Sequence, residues 1–117
     1  MAHRILFVND EDALRSNAAR ALRFKEYEVV EASDGFEAWG LAKRTRFDLV
    51  ITDSRMPPLS GAELMSRLRD LHPTLPILRL TEGHEVISDG VPSGMATLFK
   101  PFEMDDLIAA VSSLLAQ

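Results

Sequence analysis

Five short β-rich runs alternate with segments of helical period along the chain, and this alternation restricts the fold more than any other feature. The runs are Arg4–Asn9, Tyr27–Ala32, Leu49–Asp53, Ile77–Thr81 and Ala96–Phe99. Strands that each feed a helix before the next strand build an α/β domain around a parallel sheet. Leu14, Ala18, Ala21 and Leu22 share one face of the first helix, and Leu107, Ile108, Val111, Leu114 and Leu115 share one face of the last, so both should lie on the sheet. Leu64, Met65, Leu68 and Leu71 read as the core positions of the third helix, and Trp39 as partly buried packing on the second. Asp34-Gly35-Phe36-Glu37 and Ser60-Gly61-Ala62-Glu63 have the spacing of capping boxes, which places the starts of the second and third helices. Pro73 and Pro76 end the third helix. Gly83, Gly90, Pro92 and Gly94 punctuate the stretch between strands four and five, which predicts a fourth helix that is short or degraded. A chain of 117 residues suits one domain, 1–117, with no internal repeat, low-complexity tract or linker.

Charge and composition narrow the function. The net charge is −5 and no basic run is present, which argues against direct contact with nucleic acid and favours an acidic pocket for a cation. Both signs are scattered through the 26% of residues that are charged, and 46% are hydrophobic, the balance of a globular protein rather than a disordered one. The absence of Cys removes disulfides, thiolate metal sites and thiol nucleophiles. Met1-Ala2-His3-Arg4 leads straight into an apolar strand, and no run approaches membrane-spanning length, so the expectation is a cytoplasmic protein without a membrane partner.

The polar residues of interest stand where apolar strands stop: Asn9, Asp10, Glu11 and Asp12 after strand one, Asp53 ending strand three, Thr81 ending strand four and Lys100 after strand five. Carboxyl ends of parallel strands line up along one edge, and ligands bind there, where the strand order reverses. If strands one and three are neighbours, Asp10 and Asp53 converge. Two carboxylates brought together repel unless a cation joins them, and an oxygen-only site with room for water suits Mg²⁺. His3, His72 and His84 are isolated and carry no metal or catalytic spacing.

The fragments Ile5-Leu6-Phe7-Val8-Asn9-Asp10-Glu11, Asp48-Leu49-Val50-Ile51-Thr52-Asp53-Ser54-Arg55-Met56-Pro57, Leu80-Thr81 and Phe99-Lys100-Pro101-Phe102 together resemble the response-regulator receiver domains of two-component signalling. The resemblance covers essentially the entire chain. It implies a doubly wound, flavodoxin-like sheet of order 2-1-3-4-5, and a non-enzymatic phosphoprotein that takes a phosphoryl group from a sensor histidine kinase or a histidine phosphotransfer protein. By the same resemblance Asp53 is the phosphoacceptor, and Asp10, Asp53 and the backbone carbonyl of Arg55 hold Mg²⁺, with Asn9 or Glu11 acting through water. Thr81 and Lys100 bind phosphoryl oxygens, and Lys100–Pro101 is a candidate cis peptide. Away from these motifs, Asp53 would read as a solvated strand-end acid and Thr81 and Lys100 as ordinary surface, while a helix-cap role for Asp10 can coexist with metal binding.

Four positions depart from the family pattern. Asn9 replaces the first of two adjacent acids, which should weaken metal binding, with Glu11 or Asp12 available to compensate. Glu82 stands after Thr81, where a small residue leaves access to the phosphoryl group. Thr97 occupies the place of an aromatic switch, and Arg79 lies within strand four where an apolar residue is expected. The leading reading is a working phosphoacceptor, either a stand-alone regulator or the receiver portion of a larger regulator or hybrid kinase. The alternative is a pseudo-receiver, an interaction module that is not phosphorylated. A Mg²⁺-dependent phosphatase would need a second acid two residues after its nucleophile, where Arg55 stands, and a flavin site would need a Ser/Thr/Gly-rich loop after strand one.

Overall fold

In the computed structural model, residues 2–54, 59–82 and 95–116 are described. Among them β1 (Arg4–Val8), α1 (Asp12–Phe24), β2 (Glu28–Ala32), α2 (Gly35–Arg44), β3 (Leu49–Asp53), α3 (Gly61–Leu71), β4 (Ile77–Glu82), β5 (Met95–Lys100) and α4 (Met104–Leu115) follow one another. All strand pairs are parallel and the sheet order is β2-β1-β3-β4-β5, the order implied by the resemblance. The stretch 83–94, on which the expectation of a degraded helix falls, lies outside the described residues.

Alternation along each strand sends neighbouring side chains to opposite faces, and each face has its own core. Leu6, Val8, Val50 and Ile77 pack beneath α2 and α3 with Ala38, Ala42, Leu64, Met65 and Leu68. Ile5, Phe7, Leu49, Ile51, Leu78 and Leu80 pack beneath α1 and α4 with Ala18, Leu22, Leu107 and Val111. Each fully buried Leu, Ile or Phe contributes about 1.5–3 kcal/mol, so these two layers dominate stability and hold the strand ends in register.

Several local expectations change. Ala19, not Ala21, is fully buried on α1. Leu71, the last residue of α3, is 39% exposed. Asp34 accepts from the Glu37 amide at 2.8 Å, but Glu37 reaches back to the amide of Ser33 at 2.7 Å and not to that of the cap residue itself. Ser60 accepts from the Glu63 amide at 3.1 Å. A full capping box that the sequence reading did not identify, Glu103 with Asp106, starts α4. At the end of α1 the chain turns through Glu26 at φ 70°, while the amides of Glu26 and Tyr27 donate to Arg23 and Leu22 carbonyls at 2.9 and 3.2 Å. A non-glycine residue in this left-handed conformation is unusual, and the two closing hydrogen bonds offset part of its cost. Gly35 is required by space: a Cβ there would stand 2.8 Å from the Leu59 carbonyl oxygen and 2.9 Å from its Cβ.

Candidate functional site

The site is built at the carboxyl ends of β1, β3, β4 and β5. Just past β1 the Asn9 amide donates to the Ala32 carbonyl at 3.1 Å, extending the β1–β2 ladder by one residue. Asn9 is fully buried. Its Oδ1 accepts from the Glu11 amide at 2.8 Å, which fixes the turn into α1. Its Nδ2 donates to Asp53 Oδ2 at 3.3 Å. The neutral amide therefore supplies a donor to the carboxylate where a second acid would repel it.

Arg15 braces this turn from α1. Its Nη1 donates to the Asn9 carbonyl at 2.8 Å, its Nε pairs with Glu31 at 3.3 Å, and its Nη2 pairs with Asp12 at 2.9 Å. Sequence reasoning missed Arg15, for which the only local signal was its spacing from Asp12. Asp12 is committed to the first turn of α1 and to Arg15, and Glu11 is the N-cap. Asp10 is exposed at the head of the turn.

Asp53 closes β3 and is 5% exposed. Lys100, the last residue of β5, places its Nζ on Asp53 Oδ2, the oxygen that Asn9 also reaches. The carboxylate is thus withdrawn from water but held by an ammonium and an amide, the partners that offset the cost of burying a polar group. The Lys100–Pro101 peptide bond is cis, as expected. On β4, Thr81 is 1% exposed. Its Oγ1 accepts a hydrogen bond from Ser54 Oγ at 3.1 Å, and the Ser54 amide donates to the Leu80 carbonyl at 2.9 Å. Glu82, half-buried, ends β4 in register with Lys100. Three rows nearer the amino ends, Arg79 Nη2 donates to Thr97 Oγ1 at 3.1 Å.

Asn9, Asp53, Thr81 and Lys100 therefore gather at one edge, while Arg55 lies outside the described residues. Among the described residues no three His, Cys, Asp or Glu side chains cluster as a metal site. The available donors, the carboxylates of Asp10 and Asp53, are all oxygen, a sparse set that fits Mg²⁺ because that ion keeps several of its waters. A cavity of about 450 Å³ lies at the opposite end of the sheet, lined by Lys43, Arg46, Asp48 and His72 among others, and takes no part in this site.

This order of strands, with a buried Asp at the end of the third strand, defines a CheY-like protein of the flavodoxin fold, a class confirmed by comparison with known proteins. The sequence matches the response regulator receiver domain over residues 5–112, and the chain belongs to that family, whose members are signalling proteins. It is 39% identical over 115 residues to Response regulator MprA of Mycobacterium leprae, covering 96% of this chain and 50% of that protein. It is 32% identical over 114 residues to the Probable transcriptional regulatory protein TcrX of Mycobacterium tuberculosis, covering 95% and 49%. The chain thus spans about half the length of these curated relatives. Among solved structures, the receiver domain of the hybrid histidine kinase CckA superposes with a TM-score of 0.83 at 40% identity, covering 96% of this chain and 98% of that one. TrrA of Thermotoga maritima, solved in complex with Mg(2+)-BeF, superposes with a TM-score of 0.86 at 32% identity, covering 97% and 99%. Among the described residues no helix is long and apolar enough to cross a membrane.

Proposed function

We propose that this chain is one receiver domain, residues 1–117, of a two-component phosphorelay in the cytoplasm, and that Asp53 accepts a phosphoryl group from a phosphohistidine of a sensor kinase or histidine phosphotransfer protein. The observation that carries this reading is the buried Asp53 carboxylate, held through one oxygen by both Lys100 and Asn9. In the transfer an Asp53 oxygen attacks phosphorus, the phosphorus–nitrogen bond breaks, and the imidazole leaves. The charge that spreads over the phosphoryl oxygens is met by the Lys100 ammonium and the Thr81 hydroxyl. Asp10 and Asp53, with the backbone carbonyl of Arg55, would hold Mg²⁺, which would neutralise phosphoryl charge when bound; that TrrA was solved in complex with Mg(2+)-BeF supports Mg²⁺ as the ion.

Incubation with acetyl phosphate, with and without Mg²⁺, followed by intact mass, tests the reading on wild type and Asp53→Ala. A Mg²⁺-dependent, base-labile adduct absent from Asp53→Ala is the expected result. A folded protein that takes no adduct supports the second reading, a pseudo-receiver. That alternative is favoured by Asn9 standing in the place of an acid and by the Arg79–Thr97 hydrogen bond in the place of an aromatic switch.

A further inference from the structure

We infer that Ser54 is a positioning residue for the phosphoryl-binding hydroxyl of Thr81, an inference that rests on the phosphoacceptor reading of Asp53. The β3–β4 register pairs Thr52 with Arg79 and Asp53 with Leu80, so the next residues, Ser54 and Thr81, stand opposite one another on the same face of the sheet. The Ser54 amide donates to the Leu80 carbonyl at 2.9 Å and carries the ladder one step beyond the end of β3, which fixes the backbone from which the Ser54 hydroxyl reaches across. That hydroxyl donates to Thr81 Oγ1 at 3.1 Å.

Two hydroxyl oxygens at this distance share a single proton, so the pair has one further proton to donate elsewhere. Thr81 is buried while Ser54 is half-buried, so solvent reaches Ser54 more readily than Thr81. With Ser54 as the donor, Thr81 accepts through one lone pair and its own proton is left to donate to a phosphoryl oxygen on Asp53. Ser54 thereby selects a Thr81 rotamer and the direction of its O–H bond before the phosphoryl group arrives. The cost of ordering that bond is met on folding and not at the moment of transfer. An Ala at this position would leave Thr81 Oγ1 without its cross-strand donor in a site that water barely reaches, whereas a Thr would keep the donor.

The rate of adduct formation from acetyl phosphate and Mg²⁺ tests this on the full chain in wild type, Ser54→Ala, Ser54→Thr, Thr81→Val and the double variant Ser54→Ala/Thr81→Val. Ser54→Ala should slow the reaction about three- to ten-fold, the factor one net hydrogen bond is worth, and Ser54→Thr should restore it. In the Thr81→Val background the Ser54→Ala change should have no further effect, because the hydroxyl it orients is gone. An unaltered rate in Ser54→Ala, or the full loss repeated on top of Thr81→Val, overturns the inference. A second readout, on the unphosphorylated protein, is the three-bond couplings to the Thr81 methyl, which report its χ1. A single rotamer in wild type and Ser54→Thr, averaged in Ser54→Ala, is expected, and identical couplings in all three overturn the pairing. If wild type takes no adduct, the phosphoacceptor reading fails, and the couplings alone decide whether Ser54 holds Thr81.

Discussion

The two halves of the sheet that meet at Asp53 are built differently. Every residue of β3 is buried, and β1 is buried at all but its first position. Five of the six residues of β5 are only partly covered and the remaining one, Phe99, is 46% exposed. On the β1–β3 side the polar groups are anchored: Asn9 bonds Asp53 and the Glu11 amide, and Arg15 closes the turn behind it. On the β4–β5 side an arginine occupies the interior of the sheet, its Nη2 bonded to Thr97 and its Nε buried without a hydrogen-bond partner among the described residues. An unpaired buried donor costs about 1–3 kcal/mol, so Arg79 is a local burden within the β4–β5 ladder. The contrast separates two tasks. Under the proposed phosphoacceptor reading, holding a carboxylate for chemistry falls to the buried half, while passing its state to a surface would need a side chain on β5 that moves, and Thr97, short and tied to Arg79, is poorly suited to that.

The comparison breaks most directly by truncating one apolar residue in each half. Phe7→Ala should lose about 3–5 kcal/mol in denaturant unfolding, the range for a buried aromatic. Leu98→Ala, on the half-covered edge, should lose about 1–2 kcal/mol, since less of its surface is removed from water. Equal losses would show that the two halves are packed alike. Next in size, Gly35→Ala should cost about 1–3 kcal/mol, because the new methyl meets the backbone of Leu59 and not the tip of a flexible side chain. A variant with the stability of wild type would mean that the approach of α2 to Leu59 relaxes freely. The smallest effect is electrostatic. Asn9→Asp adds a carboxylate beside Asp53, so the Mg²⁺ midpoint in a thermal-shift titration should fall about ten-fold. An unchanged midpoint would remove position 9 from the metal's surroundings.

Much of this was legible in the sequence because periodicity reports burial. Strand order followed from the family resemblance, and the ends of β1, β3 and β4 were placed to within a residue by where apolar runs met Asn9, Asp53 and Thr81. Asn9, Asp53, Thr81 and Lys100 were singled out by that position, and their convergence is what the parallel register produces. What stayed hidden depends on distance between segments remote in sequence. Nothing local marks Arg15 as the brace behind Asn9, Ser54 as the partner of Thr81, or Gly35 as the point where α2 meets Leu59. Asn9 stood out in the sequence as the place of a missing acid, but its hydrogen bond to Asp53 became visible only in the structure. Arg79 stood out as anomalous, but its bond to Thr97 needed the β4–β5 register to become visible.

The most direct test of a reactive half set apart from a weakly responding one is a backbone amide chemical-shift map of the protein before and after saturation with Mg²⁺ and beryllofluoride, a stable mimic of the acyl phosphate. Large, saturable shifts at Asn9, Asp10, Asp53 and Thr81, with only small shifts across Met95–Phe99, are the predicted result. Shifts as large along β5 as at Asp53 would contradict the separation of the two halves, and no saturable shift at Asp53 would contradict the phosphoacceptor site itself.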